Sequence, residues 1–179
     1  MISKAAFYRA DAHGPLGLIN PDGTINKTGH AFEAVGTLNH TPLRLATSGG
    51  DDIGFGVEAG RTRNHGEVRV LLTNYEIPPE DQGPYPPFIV NNVFTIPGIA
   101  TFTLVDRRSV TYSDNNGYDL TVSGLPGNGQ RDVVSRYRVD DSHDLTLVDQ
   151  TEQRGRSVHL SATLPAPAVE LVVIRRRAS

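Results

Sequence analysis

Acidic side chains around one predicted β-hairpin are the residues of this sequence best suited to catalysis. Cleavage of a glycosidic bond uses two carboxylates, one as general acid and the other as nucleophile or base. The carboxylates in question are Asp51, Asp52, Glu58 and Glu67. Their spacing selects no pair, and carboxylates are common in turns, so the pattern favours a hairpin without catalytic function. The chain also contains no GxSxG and no HExxH motif.

Three further groups of side chains have the chemistry of metal ligands. His30 and Glu33 have the i, i+3 spacing of helical ligand pairs, but the sequence contains no second pair of this kind. The second group offers oxygen ligands that suit calcium, at Asp114, Asn115, Asn116 and Asp119, but it lacks the twelve-residue pattern of a calcium-binding loop. The third group combines acids with a histidine, at Asp140, Asp141, His143 and Asp144. We interpret these groups as a solvated helix face, a hairpin turn and a polar loop, and we expect no metal and no cofactor.

The glycine-rich stretch GFGVEAG, residues 54–60, resembles a dinucleotide-binding fingerprint. Three residues, rather than the two of the fingerprint, separate its second and third glycines, however, and no helix is predicted after it. The alternative is a strand whose glycines lie where neighbouring backbone approaches closely, and the sequence favours that alternative.

Two aromatic residues, Tyr85 and Phe88, lie outside the predicted strands. They belong to the segment 76–92, whose five prolines predict a long extended loop because proline cannot donate to a sheet. The pair either forms a tip that contacts sugar or protein or holds the loop against the domain. The sequence leaves both interpretations open, and the chain has no tryptophan for an aromatic platform.

Composition limits the class of protein. A length of 179 residues suits one domain spanning 1–179, able to bury about 70% of its unfolded surface. A net charge of −3 gives no reason to expect nucleic acid, and we expect Arg175, Arg176 and Arg177 to form a solvated tail. The sequence has no cysteine for disulfides, thiolate metal sites or nucleophilic catalysis.

Targeting signals are also missing from the sequence. Met1 is followed by no apolar segment of a signal peptide, and no run approaches the ~20 apolar residues of a membrane span. If the chain is complete, we expect a cytoplasmic location and no membrane partner. The strand predicted almost from the first residue suggests a domain cut from, or once joined to, a longer chain.

One helix is predicted, over about residues 27–39. Pro21, Asp22 and Gly23 have the residue types of a turn, and Asn26 is a good N-cap for the helix that follows. Its apolar residues recur at helical spacing, at Ala31, Phe32, Val35 and Leu38. A helix of about three turns is marginal in isolation, so we expect it to pack against a sheet.

The remainder of the chain is predicted to form strands separated by turns. The predicted strands cover about residues 5–10, 16–20, 43–47, 53–62, 68–75, 94–96, 100–105, 109–112, 118–123, 133–139, 158–164 and 169–174, and residues 140–156 are predicted as loop. Short strands at regular spacing without βαβ alternation favour an antiparallel β-sandwich with one short helix near the N-terminus.

The order of several segments resembles the β-sandwich that follows the catalytic barrel in retaining glycoside hydrolases of the xylosidase and iduronidase family. The segments that carry this resemblance are Phe7-Tyr-Arg, Leu16-Gly-Leu-Ile, Asp22-Gly-Thr, Ala31-Phe32, Val68–Tyr75, Tyr118–Pro126, Arg136–Val139 and Leu164–Val172. In such enzymes the catalytic glutamates lie on the barrel, so the resemblance implies no catalytic residue in this chain.

The resemblance implies a non-catalytic accessory module that packs against a (β/α)₈ barrel, in the same or a separate chain, and stabilises it. We expect the packing face at Phe32, Val35 and Leu38, and an exposed apolar patch there through which the chain also forms homo-oligomers. The alternative is an independent carbohydrate-binding module that contacts glycan through Tyr85 and Phe88. An enzyme in its own right is the third and least favoured hypothesis.

Overall fold

The computed structural model describes residues 17–50, 55–74, 91–96, 100–105, 117–125 and 131–177. Within these ranges the secondary structure is mainly β. The elements are α1 (Lys27–Thr37), a 3₁₀ turn (Leu38–His40), β1 (Leu43–Arg44), β2 (Phe55–Arg61), β3 (Glu67–Asn74), β4 (Asn91–Ile96), β5 (Ala100–Val105), β6 (Gly117–Ser123), β7 (Arg131–Asp140), β8 (His143–Arg154), β9 (Ser157–Thr163) and β10 (Ala168–Arg176).

All of the strand pairs among the described residues are antiparallel, as the sequence predicts. The largest sheet has six strands in the order β1-β2-β3-β10-β7-β8, while β6 pairs with β9 and β4 with β5. The last strand, β10, therefore lies between β3 and β7 in the middle of the large sheet. This position explains why its sequence, AVELVVIRR, is almost continuously apolar.

The sandwich core lies between one face of the large sheet and the β6–β9 pair. Val172 and Ile174 of β10 point into it together with Val122 of β6 and Val158 of β9, and all four are buried. Alternate residues of a strand point to opposite faces, so this face takes every second residue of β10. The mainly β, antiparallel sandwich with one short helix is thus confirmed.

Helix α1 covers the opposite face of the large sheet. Ala34 of α1 and Leu38 of the following 3₁₀ turn are buried and pack against Leu71, Leu171 and Val173 of that sheet. Burial of one such leucine contributes about 2 kcal/mol, which a helix of 11 residues needs because it is marginal in isolation.

The boundaries of α1 follow from local contacts. The Asn26 side chain accepts a hydrogen bond from the Gly29 amide at 2.9 Å, which confirms the predicted N-cap. The α-helix ends at Thr37, two residues before the predicted end, and tightens into the 3₁₀ turn. Arg69 of β3 donates through Nη1 to the Thr37 carbonyl oxygen at 2.8 Å, so the sheet itself caps the helix C-terminus.

The prediction of a loop over residues 140–156 is wrong. These residues are mostly strand β8, which pairs with β7 from Arg131 opposite Arg154 to Asp140 opposite His143. A strand at the edge of a sheet has one neighbour and much exposed surface, so it tolerates polar side chains that alternation rules assign to loops. Two register shifts between β7 and β8 disturb the alternation further.

Three smaller differences concern the predicted strands. In the predicted strand over 16–20, the described part, residues 17–20, forms only an isolated bridge between Ile19 and Ile25. Strand β1 spans two residues, shorter than predicted over 43–47, and β4 begins at Asn91, within the predicted loop 76–92. The predicted strands over 5–10 and 109–112 lie outside the described residues, as does most of that loop.

The predicted solvated tail is also wrong for Arg175 and Arg176, which belong to β10. Arg175 binds the Glu67 carboxylate and Arg177 binds that of Glu152. Because β3 and β7 pair with β10 on both sides, the strand continues to Arg176, beyond the end of its apolar residues at Ile174. No helix in the described part of the chain has the length and apolar character needed to span a membrane.

Candidate functional site

The carboxylates around the β2–β3 hairpin do not form a catalytic pair among the described residues. Glu58 is half exposed and lies 3.5 Å from Arg44, while Glu67 binds Arg69 and Arg175. Burial acts to raise the pKa of Glu67, but the hydrogen bonds from Arg175 and Arg69 outweigh it and lower that pKa. Asp51 and Asp52 lie outside the described residues.

The groups considered as metal ligands bind side chains of this chain instead. His30 contacts Glu33 at 3.1 Å and His143 contacts Asp140 at 2.7 Å. Within the described ranges, no group of three or more His, Asp or Glu side chains is arranged to hold a metal ion. Asp119 accepts a hydrogen bond from Ser161 across the β6–β9 pair, and its predicted neighbours 114–116 lie outside those ranges.

The structure brings the third group to the start of the helix. The Lys27 ammonium lies 2.7 Å from the Asp144 carboxylate and donates to the His143 carbonyl oxygen at 3.1 Å. The Lys27 hydrogen bond lowers the pKa of Asp144. These contacts attach α1 to the edge strand β8.

A buried carboxylate that the sequence analysis missed has the densest set of polar contacts in the described part of the chain. Glu170 of β10 is 0% exposed and lies inside the sandwich. Arg136 donates to it through Nε at 2.8 Å and Nη2 at 3.1 Å, and Arg138 through Nη2 at 2.7 Å and Nε at 3.1 Å. The Tyr118 hydroxyl of β6 also donates to the same carboxylate. We call these four residues the Glu170 cluster.

The electrostatics of the Glu170 cluster hold its carboxylate ionised. Burial acts to raise the pKa of Glu170, but the hydrogen bonds from Arg136, Tyr118 and Arg138 outweigh it and lower that pKa. Burial and the bond to Glu170 raise the pKa of Tyr118. A general acid needs a raised carboxyl pKa, so this arrangement suits a structural link better than proton transfer.

The Glu170 cluster links the two layers of the sandwich. Arg138 donates to the Thr163 carbonyl oxygen of β9 at 2.7 Å as well as to Glu170 of β10. Asn74 of β3 makes a second link, from Nδ2 to the Leu164 carbonyl oxygen at 2.8 Å. The large sheet is therefore fixed to the β6–β9 pair by polar bonds as well as by apolar packing, and of these bonds Asn74–Leu164 is buried while Arg138–Thr163 is exposed.

A cleft of about 340 Å³ lies between β6, residues 45–48 and the β2–β3 hairpin. Its lining combines apolar and hydroxyl side chains and includes no carboxylate. The lining residues are Leu45, Ala46, Thr47, Ser48, Val57, Ala59, Val70, Leu120, Thr121, Val122 and Ser123. Such a lining offers apolar contact and neutral hydrogen bonds.

The glycines of β2 serve close packing, which confirms the favoured interpretation of the stretch 54–60. A Cβ atom at Gly60 would lie 2.3 Å from the Thr41 carbonyl oxygen, and one at Gly56 would lie 2.7 Å from the Thr73 hydroxyl oxygen. Gly56 and Gly60 belong to a strand rather than to the strand–turn–helix that binds dinucleotides.

The three residues predicted to form a packing face have different environments. Leu38 is 1% exposed and packs inside the module, Phe32 is half-buried, and Val35 is 47% exposed. Two further large apolar side chains are exposed nearby, Ile25 at 48% and Ile19, its β-bridge partner. Ile25 lies against α1 at Gly29, where an added Cβ would approach its Cγ2 atom.

The two aromatic residues predicted to contact glycan, Tyr85 and Phe88, lie outside the described residues. Their role stays a prediction. The packing face likewise stays a prediction, with the buried Leu38 unable to contact a partner unless the module opens.

Comparison with known structures identifies the class of fold. The chain is similar to a glucosidase from Croceicoccus marinus, with 33% identity and a TM-score of 0.76 over 92% of this chain and 34% of that one. A GH30 endoxylanase from Clostridium papyrosolvens is 14% identical, with a TM-score of 0.53 over 90% of this chain and 31% of that one. A family 30 subfamily 8 xylanase from Clostridium acetobutylicum is 10% identical, with a TM-score of 0.51.

These similarities confirm the resemblance indicated by the sequence. The chain has the fold of a part of glycoside hydrolase chains, and it spans about a third of their length. For the two xylanases the similarity shows the fold alone, whereas the glucosidase also shares a third of the aligned residues. No protein-family model and no curated protein sequence matches the chain.

Proposed function

We propose that this protein is a non-catalytic accessory module of a glycoside hydrolase. In this proposal the module follows a (β/α)₈ barrel, packs against it and stabilises it. The observation that carries the proposal is the match of 92% of this chain to 34% of the glucosidase chain. A match to so limited a share of the enzyme is what a separate module gives. The catalytic carboxylates then belong to the remaining part of such an enzyme.

The ionisation of the described acids supports a non-catalytic role. Glu170, the fully buried carboxylate, is bound by two arginines that keep it charged, and Glu67 is bound by two others. Pairing of this kind stabilises a fold and lowers the pKa of both carboxyls, whereas a general acid needs a raised pKa. Burial does raise the pKa of Asp132, which lies beside Arg176 on the neighbouring strand.

The docking face in this proposal is the outer side of α1 with the segment before it. Val35, Ile25 and Ile19 expose apolar surface there, beside the half-buried Phe32. Burial of apolar surface drives most protein association, and exposed apolar surface of this kind is what such an interface would cover.

A chimera tests the stabilising role. This chain replaces the matching third of the Croceicoccus marinus glucosidase, and the comparison protein is the same glucosidase without that third. We expect the chimera to have the higher Tm and to retain hydrolytic activity, because the barrel regains its covering module. A chimera with the Tm and activity of the shortened enzyme would contradict the proposal.

Matched substitutions test the docking face. Val35→Asp in the chimera should lower its Tm while leaving the Tm of the separate module unchanged, because Val35 makes its contact only in the assembly. The control is Leu147→Asp on edge strand β8, since Leu147 is 46% exposed, almost as much as Val35. Equal effects of both substitutions on the chimera would place the interface elsewhere.

A further inference from the structure

Strand register gathers arginines at one end of the large sheet. Arg175 of β10 lies opposite Glu67, the first residue of β3, and Arg176 lies opposite Asp132 near the start of β7. The β2–β3 and β8–β9 turns lie at the same end. We name this surface the arginine end, and its members are Arg61, Arg63, Arg131, Arg154, Arg156, Arg175, Arg176 and Arg177.

The arginine end concentrates positive charge in a chain whose net charge is −3. It holds eight of the 17 lysines and arginines of the chain, and strand pairing places three acids beside them, at Glu67, Asp132 and Glu152. The net charge of the whole chain hides this asymmetry, because the compensating acids lie elsewhere. A cluster of one sign raises the local concentration of oppositely charged ligands.

Part of this charge is available for a ligand. Arg131 and Arg177 share the Glu152 carboxylate at 2.7 and 2.6 Å. Arg63, Arg154 and Arg156 are exposed, and within the described ranges their side chains make no ion pair and no hydrogen bond.

We propose that the arginine end binds an acidic polysaccharide, whose sugars carry carboxylates. This inference rests on the proposed function, because an accessory module that holds the polymer would keep an attached hydrolase at its substrate. It also revises the expectation that Arg175, Arg176 and Arg177 form a solvated tail.

The residue type favours carboxylates as the ligand groups. All eight cations are arginine, whose planar guanidinium binds a carboxylate through two parallel hydrogen bonds. Arginines of this surface already bind carboxylates, since Arg175 contacts Glu67 through Nε and both Arg131 and Arg177 contact Glu152 through Nη1. Neighbouring strands are about 4.8 Å apart, so the arginines on the successive strands β10, β7 and β8 form an array that suits a repeating anion.

Nucleic acid fits this surface less well. Proteins that bind single strands stack bases on aromatic side chains, and none of the described residues at the arginine end is Phe, Tyr or Trp. The strand ends and turns present no helix for a major groove. The similarity to glycoside hydrolases also favours a polysaccharide.

Binding of the 179-residue chain to polygalacturonate tests the inference, with dextran as the neutral polymer. Isothermal titration calorimetry should detect binding of polygalacturonate at roughly 0.05 M salt and no binding at about 0.5 M salt, and it should detect no binding of dextran. The triple variant Arg63→Gln, Arg154→Gln, Arg156→Gln should bind at least ~10-fold more weakly. The matched Arg63→Lys, Arg154→Lys, Arg156→Lys variant keeps the charge and should bind more tightly than the glutamine variant.

Competition decides between polyanions. A double-stranded DNA oligonucleotide that displaces polygalacturonate with equal efficiency per charge would overturn the inference, because the surface would then respond to charge alone. Absence of polygalacturonate binding, or equal affinity of the wild type and the glutamine variant, would also overturn it. Unchanged urea midpoints of both variants show that the comparison concerns folded protein.

The two proposals fail separately. The chimera with the glucosidase involves no acidic polymer, so a stabilised chimera without polygalacturonate binding rejects the arginine-end inference alone. Salt-sensitive binding in a chain that does not stabilise the chimera rejects the accessory role alone.

Discussion

Arg138 and Glu170 form a link between three strands of the sandwich. The Arg138 guanidinium on β7 donates to the Glu170 carboxylate on β10 through Nη2 and Nε at 2.7 and 3.1 Å. The same Nη2 donates to the Thr163 carbonyl oxygen on β9 at 2.7 Å. One side chain thus satisfies a buried charge and joins the large sheet to the β6–β9 pair.

Removal of the buried charge should destabilise the fold strongly. Glu170→Gln removes the counter-charge that Arg136 and Arg138 share, leaving Arg136 the longer contact to Asp149 at 3.6 Å. A broken buried ion pair costs about 3–5 kcal/mol. Urea unfolding followed by circular dichroism measures the free energy of unfolding. Glu58→Gln is the control, because Glu58 is half exposed, and its effect should stay below ~0.5 kcal/mol. Equal effects of the two changes would contradict the proposed link.

The same carboxylate predicts a pH dependence of stability. Because the folded-state pKa of Glu170 is lowered, its stabilising effect is complete above the unfolded pKa and is lost as pH falls through the folded one. The advantage of wild type over Glu170→Gln should therefore be constant between pH 6 and 8 and shrink below about pH 4.5, the ordinary glutamate value. Urea midpoints of both proteins at each pH measure it. An advantage that grows in acid would show that Glu170 is bound in its protonated form.

Local sequence signals account for the elements that were predicted correctly. The Asn26 cap, the helical spacing up to Leu38 and the turn between β2 and β3 all depend on residues within a few positions of one another. Alternation also predicts β6 and β9, in which exposed residues alternate with more buried ones.

Non-local pairing accounts for what the sequence analysis missed. Glu170 has its arginine partners more than 30 residues earlier in the chain and its tyrosine partner 52 residues earlier. One signal was available, because a glutamate within the apolar run AVELVVI needs a buried partner. The polar edge strand β8 and the arginine end both depend on how strands distant in the sequence pair with one another. The composition of the chain gives no information on that pairing.

The N-cap of α1 should contribute measurably to stability. Asn26 accepts from the Gly29 amide at 2.9 Å and donates through Nδ2 to the Gly17 carbonyl oxygen at 2.7 Å. Asn26→Ala removes both bonds and should lower the free energy of unfolding by about 1–2 kcal/mol. The control is Asn39→Ala, since Asn39 is exposed in the 3₁₀ turn. If both variants unfold at the same urea concentration, the cap does not stabilise the helix.

Two glycines should respond to alanine in opposite directions. Gly60→Ala places a Cβ atom 2.3 Å from the Thr41 carbonyl oxygen, so backbone must move and we expect a loss of about 1–3 kcal/mol. Gly36 lies in α1, where an added Cβ meets no atom within 4 Å. Gly36→Ala should therefore stabilise the protein by up to about 1 kcal/mol, because alanine is the better helix former. Thermal unfolding of the two variants beside wild type measures both signs. If Gly60→Ala stabilised the protein instead, Gly60 of β2 and Thr41 before β1 would have to be less closely packed than the structure shows.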